Sequence, residues 1–262
     1  MRIASFATPA GKTAFGVVEG EPGAAPEALV VAALTDFPWS SVSFTGERWA
    51  LPDVQLLPPI FPSKVVGIGK NYTEHAAEMG GEAPPAPLLF LKPTTAVIGP
   101  GAPIRLPVDS REVHFEGELA VVIGSRGATE VPRDQALGAV LGYTIGNDVT
   151  ARDLQRADGQ WTRAKGFNSF CPLGPWIETV LDPADLAIRT ELDGEVKQDS
   201  RTSLLVHDVA TLVSYVSHVM TLLPGDVVLT GTPAGVGPLR AGQTVSVTVE
   251  GIGTLTNPVR AR

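Results

Sequence analysis

Between His114 and Gly124 the chain reads HFEGELAVVIG, and in that otherwise apolar, β-branched run Glu116 and Glu118 stand two residues apart. Such a composition predicts a strand. Alternation then turns Phe115, Gly117, Leu119, Val121 and Ile123 toward a core and lines His114, Glu116 and Glu118 together on the opposite face. Two like charges side by side repel, and burying them is costly without a cation or a shared proton. A bound metal is the first chemistry this pair supports and an acid dyad the second. An edge strand with a solvated polar face is the alternative without chemistry.

A third oxygen donor follows downstream, where Gly142 to Asp153 reads GYTIGNDVTARD. Thr150 and Asp153 have the spacing of a capping box, so a helix is expected to begin at Thr150 with Asp148 at the strand end before it. A carboxylate there can join the paired glutamates. The resulting set of hard oxygen ligands suits Mg²⁺ or Mn²⁺. His114 could add a nitrogen donor, which would favour Mn²⁺ or Zn²⁺. Leu154 to Ala157 continues the helix and places Arg152 and Gln155 three apart, close to Asp148. Both are ordinarily surface residues, but beside a metal they can bind a carboxylate or an enolate oxygen.

These side chains need elements that hold them. Lys64 to Gly69, KVVGIG, reads as a short apolar strand, and Thr73 to Gly80 as a short helix on which His75 and Glu78 share a face. A histidine bonded to a carboxylate three residues on is the geometry of an oriented general base, although such pairs are commonly plain polar contacts. Gly67-x-Gly69-Lys70 lacks both the Walker spacing and a third glycine, so a phosphate loop is rejected. Gly80-Gly81 and Pro84-Pro85 punctuate the chain after the helix and suit a mobile segment. Leu88 to Leu91 and Val97 to Ile98 are further short strands. Pro132 to Leu141 is expected to be helical, with Pro132 in its first turn. Asp208 to Thr221 carries the clearest amphipathic helix, capped by Asp208. Leu192 to Glu195 makes an Asp-Gly hairpin turn, and Thr244 to Glu250 with Thr254 to Asn257 a closing hairpin.

In order along the chain, KVVGIGKNYTEHAAEMG, HFEGELAVVIG, GYTIGNDVTARDLQ, WTRAKGFNSFCPLGPW and VLTGTPAGVG make the stretch from Lys64 to Gly237 resemble the fumarylacetoacetate hydrolase superfamily. The resemblance implies a β-roll, a homodimer, and a metal held by Glu116, Glu118 and Asp148. It also implies a lid carrying His75 and Glu78 as a water-activating dyad, with Gln155 at an active-site position. Lys165, a loop lysine that would normally be solvated, matches the family's active-site lysine. There its ammonium would offset the carboxylates and donate to a substrate oxygen. Thr232 and the amides of Gly231 to Gly235 form a loop able to hold a carboxylate. The sequence departs from the family at His114 and Asn168, where aspartate is expected more often.

Composition bounds the rest. With 262 residues, of which 44% are hydrophobic, the chain can bury a substantial core, and 28 glycines and 23 prolines point to short elements joined by many turns. The expected fold class is mixed α/β and predominantly β. Residues 1–58 are expected to form a small β-rich N-terminal unit, with a hairpin from Arg2 to Glu19 and a Pro- and Ala-rich connection from Glu21 to Leu34. Residues 59–262 then form the catalytic domain, and Pro58, Pro59 and Pro62 hold the junction extended. A net charge of -8 and no Lys/Arg run give no footprint for nucleic acid. No apolar run reaches the roughly 18 residues of a membrane span, so a soluble cytoplasmic protein is expected. The single cysteine, Cys171, reads as a buried structural thiol.

Two function classes follow. A structural cation site in a β-rich scaffold needs only the carboxylates. An enzyme acting on a small 2-oxo acid also needs His75, Glu78 and Lys165. Within the enzyme class the expected reaction is hydrolysis of a C–C bond in a 2,4-dioxo acid, of the acylpyruvate or fumarylacetoacetate type, through a pyruvate enolate. Oxaloacetate decarboxylation and isomerisation of 2-hydroxyhepta-2,4-diene-1,7-dioate are the alternatives.

Overall fold

The computed structural model describes residues 1–21, 23–39 and 41–262. Strands dominate, as expected. A 12-stranded mixed sheet runs in the order Phe44–Ala50, Val30–Leu34, Thr13–Glu19, Arg2–Ala7, Cys171–Glu178, Val140–Asn147, Gly117–Ile123, Val227–Leu229, Val65–Gly69 and Leu88–Lys92, with Gln55–Leu57 and Val97–Ile98 attached at its side. The N-terminal hairpin thus continues the main sheet, because Arg2–Ala7 pairs antiparallel with Cys171–Glu178. Val30–Leu34 is a strand and not part of a connection, since Val31, Ala33 and Leu34 are buried in place. Pro22, in the expected Glu21 to Leu34 connection, lies outside the described residues.

A five-stranded sheet made from Ala187–Leu192, Glu195–Arg201, Thr244–Val249, Gly253–Ala261 and Ile104–Leu106 closes against the large one. Leu119, Val121 and Ile145 share one core with Ile188, Val247 and Leu255 and with Leu212, Val213 and Val216 of the Val209–Val219 helix. Asp208 caps that helix, its carboxylate accepting from the Thr211 amide. Ala120 and Val122 project the other way into a second core with Ile3, Val65, Cys171 and Leu229. The Gly117–Ile123 strand is therefore buried on both faces. The expected polar face ends at Glu118, because the next residues on that side are Ala120 and Val122.

Nor is the paired-glutamate segment one strand. Val113–Phe115 belongs to a small three-stranded sheet with Thr150–Ala151 and Gly237–Pro238, and Glu116 stands at the break between the two sheets. The break is braced, since the Asp148 amide donates to the Glu116 carbonyl (2.8 Å) and the Glu116 amide to Asn147 Oδ1 (3.0 Å). Thr150 is in a strand and caps nothing. The helix spans Arg152–Asp158 behind Ala151, while Asp153 is drawn off by the Ser110 hydroxyl and the Arg111 amide. The expected Pro132–Leu141 helix is a 3-10 segment, Arg133–Ala139, and Val140 and Leu141 already belong to the Val140–Asn147 strand. No helix among the described residues is long and apolar enough to cross a membrane.

Candidate active site

The ends of Gly117–Ile123 and Val140–Asn147 meet side by side, with Gly117 opposite Asn147, and this register brings Glu116, Glu118 and Asp148 together. One ligand oxygen from each lies within 4.8 Å of the others, and the residues are 3%, 1% and 0% exposed. Three carboxylates in so small a buried volume require positive charge. Three side chains supply it. Lys92 Nζ donates to Asp148 Oδ1 (2.6 Å), Lys165 Nζ to Glu116 Oε2 (2.8 Å) and to Asp148 Oδ2, and Arg152 Nη2 to Glu116 Oε1.

The carboxylates are electrostatically unequal. Burial opposes ionisation of Glu116, but Arg152 and Lys165 overcome it and hold its carboxyl well below the usual range. Glu118 has no such partner. Burial and the neighbouring charges of Asp148 and Glu116 push it well above that range, and the Gly231 amide, donating to Oε2 at 2.6 Å, offsets this only partly. A divalent cation would relieve the excess. The donor set, all hard carboxylate oxygens, fits Mg²⁺ or Mn²⁺.

Around the cluster lies a cavity of about 190 Å³. His75, Arg152, Gln155, Lys165 and Thr232 line it beside the three acids. Lys165 is held under aromatic cover, its ammonium 4.6 Å from the Phe90 ring centroid and 6.0 Å from that of Trp161, a cation–π arrangement. Arg152 also donates to Gln155 Oε1 (2.9 Å), so the guanidinium links that side chain to the cluster.

His75 is buried on a six-residue helix, Thr73–Glu78, and its Nδ1 lies 3.0 Å from Glu78 Oε2. A carboxylate there makes Nδ1 the protonated nitrogen and leaves Nε2 as the acceptor. Glu78 does not line the cavity. Its Oε1 accepts from the Gly235 amide (3.1 Å). The loop from Gly231 to Gly235 thus holds Glu118 with one amide and Glu78 with another. Its Thr232 hydroxyl donates to the Gly117 carbonyl (2.9 Å) and accepts from Gln198 Nε2 (2.7 Å).

His114 stands apart from the acid cluster. Its Nε2 faces Glu112 at 3.4 Å, and burial and the nearby Arg152 charge lower its pKa. Asn168 is exposed, beside Arg105 and Arg262. Cys171 is fully buried, and burial pushes its thiol up to about 12, as fits an inert structural thiol. Two site residues were missed. Lys92 ends an apolar strand and is 1% exposed, and its only sequence signal was a lone charge in LLFLK. Asn71 clamps the helix entrance to the glycine-rich loop, donating to the Thr230 carbonyl (2.7 Å) and the His207 carbonyl (3.0 Å).

Residues 64–260 match the family described as Fumarylacetoacetate (FAA) hydrolase C-terminal, and residues 1–59 match Rv2993c-like, N-terminal. Protein Rv2993c of Mycobacterium tuberculosis is 58% identical over 262 residues, covering 99% of this chain and 98% of that protein. A crystal structure of 2-hydroxyhepta-2,4-diene-1,7-dioate isomerase from Mycobacterium marinum superposes with a TM-score of 0.93 at 56% identity, covering 100% of this chain and 99% of the other. Fumarylpyruvate hydrolase from Pseudomonas aeruginosa, solved with Mn²⁺ and pyruvate, gives a TM-score of 0.73 at 36% identity over 79% of this chain and 92% of its own. The chain belongs to the fumarylacetoacetate hydrolase family.

Proposed function

We propose that this protein is a divalent-metal-dependent hydrolase that cleaves the C3–C4 bond of a 2,4-dioxo acid. The observation that carries the reading is one cavity bearing a buried carboxylate cluster and a carboxylate-oriented histidine. A structural cation site has no use for the second. Glu116, Glu118 and Asp148 would hold Mg²⁺ or Mn²⁺, which when bound supplies a Lewis acid for the 2-oxo carboxylate end of the substrate. The Mn²⁺ in the P. aeruginosa hydrolase supports the same class of metal.

The chain's own groups divide the remaining work. His75, its Nδ1–H fixed by Glu78, takes a proton from water at Nε2, and the water oxygen bonds to the C4 carbonyl carbon. When the C3–C4 bond breaks, its electron pair passes to the pyruvate half as an enolate and C4 leaves as a carboxylic acid. Lys165 and Gln155 flank that enolate, and an ammonium already placed in a dry pocket stabilises developing negative charge without reorganising. Arg152 and the loop at Thr232 hold the substrate carboxylate. Protonation of C3 by the histidine then gives pyruvate.

Isomerisation of 2-hydroxyhepta-2,4-diene-1,7-dioate is the second reading, favoured by the 56% identity to the M. marinum enzyme. It uses the same enolate-holding groups and moves only a proton. Oxaloacetate decarboxylation also needs no attacking water. The proposal further takes a small 2-oxo acid as the partner, a homodimer as the assembly and the cytoplasm as the location; the acidic net charge of -8 supports the absence of a nucleic-acid partner. Assaying acylpyruvates, oxaloacetate and the heptadienedioate side by side with Mg²⁺ and Mn²⁺ tests the choice. Turnover confined to the dienedioate would replace the hydrolase reading by the isomerase one, and metal-dependent stability without any turnover would leave only a structural site.

A further inference from the structure

Glu195–Arg201 is an edge strand of the five-stranded sheet, and Gln198 is its only buried residue, at 1% exposure. Thr190 is its register partner, and Val247 is in turn the partner of Thr190. All three meet the backbone of Gly117, where an added Cβ would stand 2.2 Å from Thr190 Oγ1, 2.9 Å from Val247 Cγ1 and 3.3 Å from Gln198 Oε1. On the two neighbouring strands Ile188, Leu192, Val245 and Val249 are buried and apolar. An amide buried beside such a row is costly unless its groups are bonded, and an aliphatic side chain would fill the space without that cost.

The Gln198 amide is bonded on both its sides, to two different parts of the site. Oε1 accepts from the amide of Gly117, the residue between Glu116 and Glu118, at 3.1 Å. Nε2 donates to Thr232 Oγ1 and to the Pro233 carbonyl, each at 2.7 Å. Turned round, the side chain would set an N–H against the Gly117 N–H and an oxygen against the Pro233 carbonyl, so only one orientation satisfies all three contacts. Thr232 and Pro233 are the middle of the loop whose Gly231 amide holds Glu118 Oε2 and whose Gly235 amide holds Glu78 Oε1. The far end of that loop lies against the same edge strand, since a Cβ added to Gly235 would fall 2.0 Å from the Lys197 carbonyl oxygen. Gln198 itself does not line the cavity.

We propose that Gln198 is a positioning residue: from outside the cavity it pins the middle of the glycine-rich loop to the backbone at Gly117, and so sets Glu118 for the metal and Glu78 for His75 at the same time. This deepens the reading of the site given above and rests on it. Groups that orient a ligand carboxylate from behind are worth about 10- to 100-fold in metal affinity or activity. A side chain that fixes the centre of the loop moves both of its ends together, whereas a change at one end moves one.

The test compares the wild type with Gln198→Met, which matches the side chain in length without its hydrogen bonds, and with Gln198→Asn, which keeps a neutral amide but is one methylene too short to span both sides. Thr190→Val is the control, because it keeps the packing at Gly117 and removes a hydroxyl that has no hydrogen-bond partner among the described residues. Mn²⁺ affinity by calorimetric titration, hydrolysis at saturating Mn²⁺ and peptide-resolved hydrogen exchange are measured on each protein well below its Tm. Both Gln198 variants should bind Mn²⁺ about 10- to 100-fold more weakly and lose kcat by a similar factor, with faster exchange confined to the peptides holding Gly117 and residues 231–235. Thr190→Val should match the wild type in all three. Wild-type Mn²⁺ affinity and kcat in the Gln198 variants would overturn the proposal. Losses that Thr190→Val shares, or that come with faster exchange throughout the chain, would overturn it too, since Gln198 would then only hold the fold. If the wild type cleaves no 2,4-dioxo acid, the hydrolase reading fails, and Mn²⁺ affinity and exchange still decide the role of Gln198.

Discussion

The acid cluster and the Thr73–Glu78 helix border one cavity and are built in opposite ways. Glu116, Glu118 and Asp148 project from the ends of central strands, buried on both sides, with neighbouring amides bonded across the break at Glu116. His75 and Glu78 ride on a six-residue helix that stops at Gly80-Gly81, and Glu78 is at the surface. So short a helix is not stable alone and depends on its contacts. The carboxylates proposed to hold the metal sit at the ends of buried central strands. The histidine proposed to activate water sits on a short helix followed by Gly80-Gly81, a setting suited to opening and closing.

The largest effect is expected where the stiff side is broken. Asp148→Ala removes a metal donor and leaves Lys92 and Lys165 without their shared carboxylate in a fully buried place. Loss of one partner of a buried ion pair costs about 3–5 kcal/mol, so the variant should show a large drop in Tm, no measurable Mn²⁺ binding and no turnover. Normal Mn²⁺ affinity in Asp148→Ala would remove Asp148 from the ligand set. Glu116→Ala and Glu118→Ala should also lose metal affinity and activity together.

A smaller effect comes from the loop that ties the two sides together. At Gly235, φ is +99° and an added Cβ would fall 2.0 Å from the Lys197 carbonyl oxygen, so Gly235→Ala must shift the loop whose amide holds Glu78. Misplacing the base by about 1 Å costs up to roughly 10²-fold, and hydrolysis should fall more than Mn²⁺ affinity. Metal affinity falling as far as the rate would mean that the loop acts through Glu118 and not through the lid.

The smallest effect concerns Cys171, on the stiff side. Because burial raises its pKa, the folded state keeps the thiol protonated, so its contribution to stability is lost only as pH rises from the ordinary value of 9.0 toward about 12. At pH 8 the folded protein should resist a thiol-labelling reagent, and labelling should appear only with unfolding. Rapid labelling of the native protein would show that this side opens readily.

The two sides also differed in how far the sequence revealed them. His75 and Glu78, three apart on one short helix, are a local pattern and were readable as such. The acid cluster was legible in its members, because carboxylates in an apolar run are conspicuous, but its surroundings were not. One partner of Asp148 is Lys92, 56 residues earlier, and spacing along the chain says nothing about a contact formed by sheet order. The same holds for Asp153, which has the spacing of a cap but is bonded to Ser110 and Arg111. His114 shares a strand face with the glutamates only if the strand is continuous, and the break at Glu116 turns it toward Glu112. Ala120 and Val122 were ambiguous because a strand buried on both faces looks apolar everywhere.

The division of labour between the two sides is tested most directly by His75→Ala, with Mn²⁺ affinity and hydrolysis measured on the same preparation. Mn²⁺ binding should stay close to that of the wild type, and the hydrolysis rate should fall by roughly 10² to 10⁴. An undiminished hydrolysis rate, or a loss of metal affinity as large as the loss of rate, would contradict it.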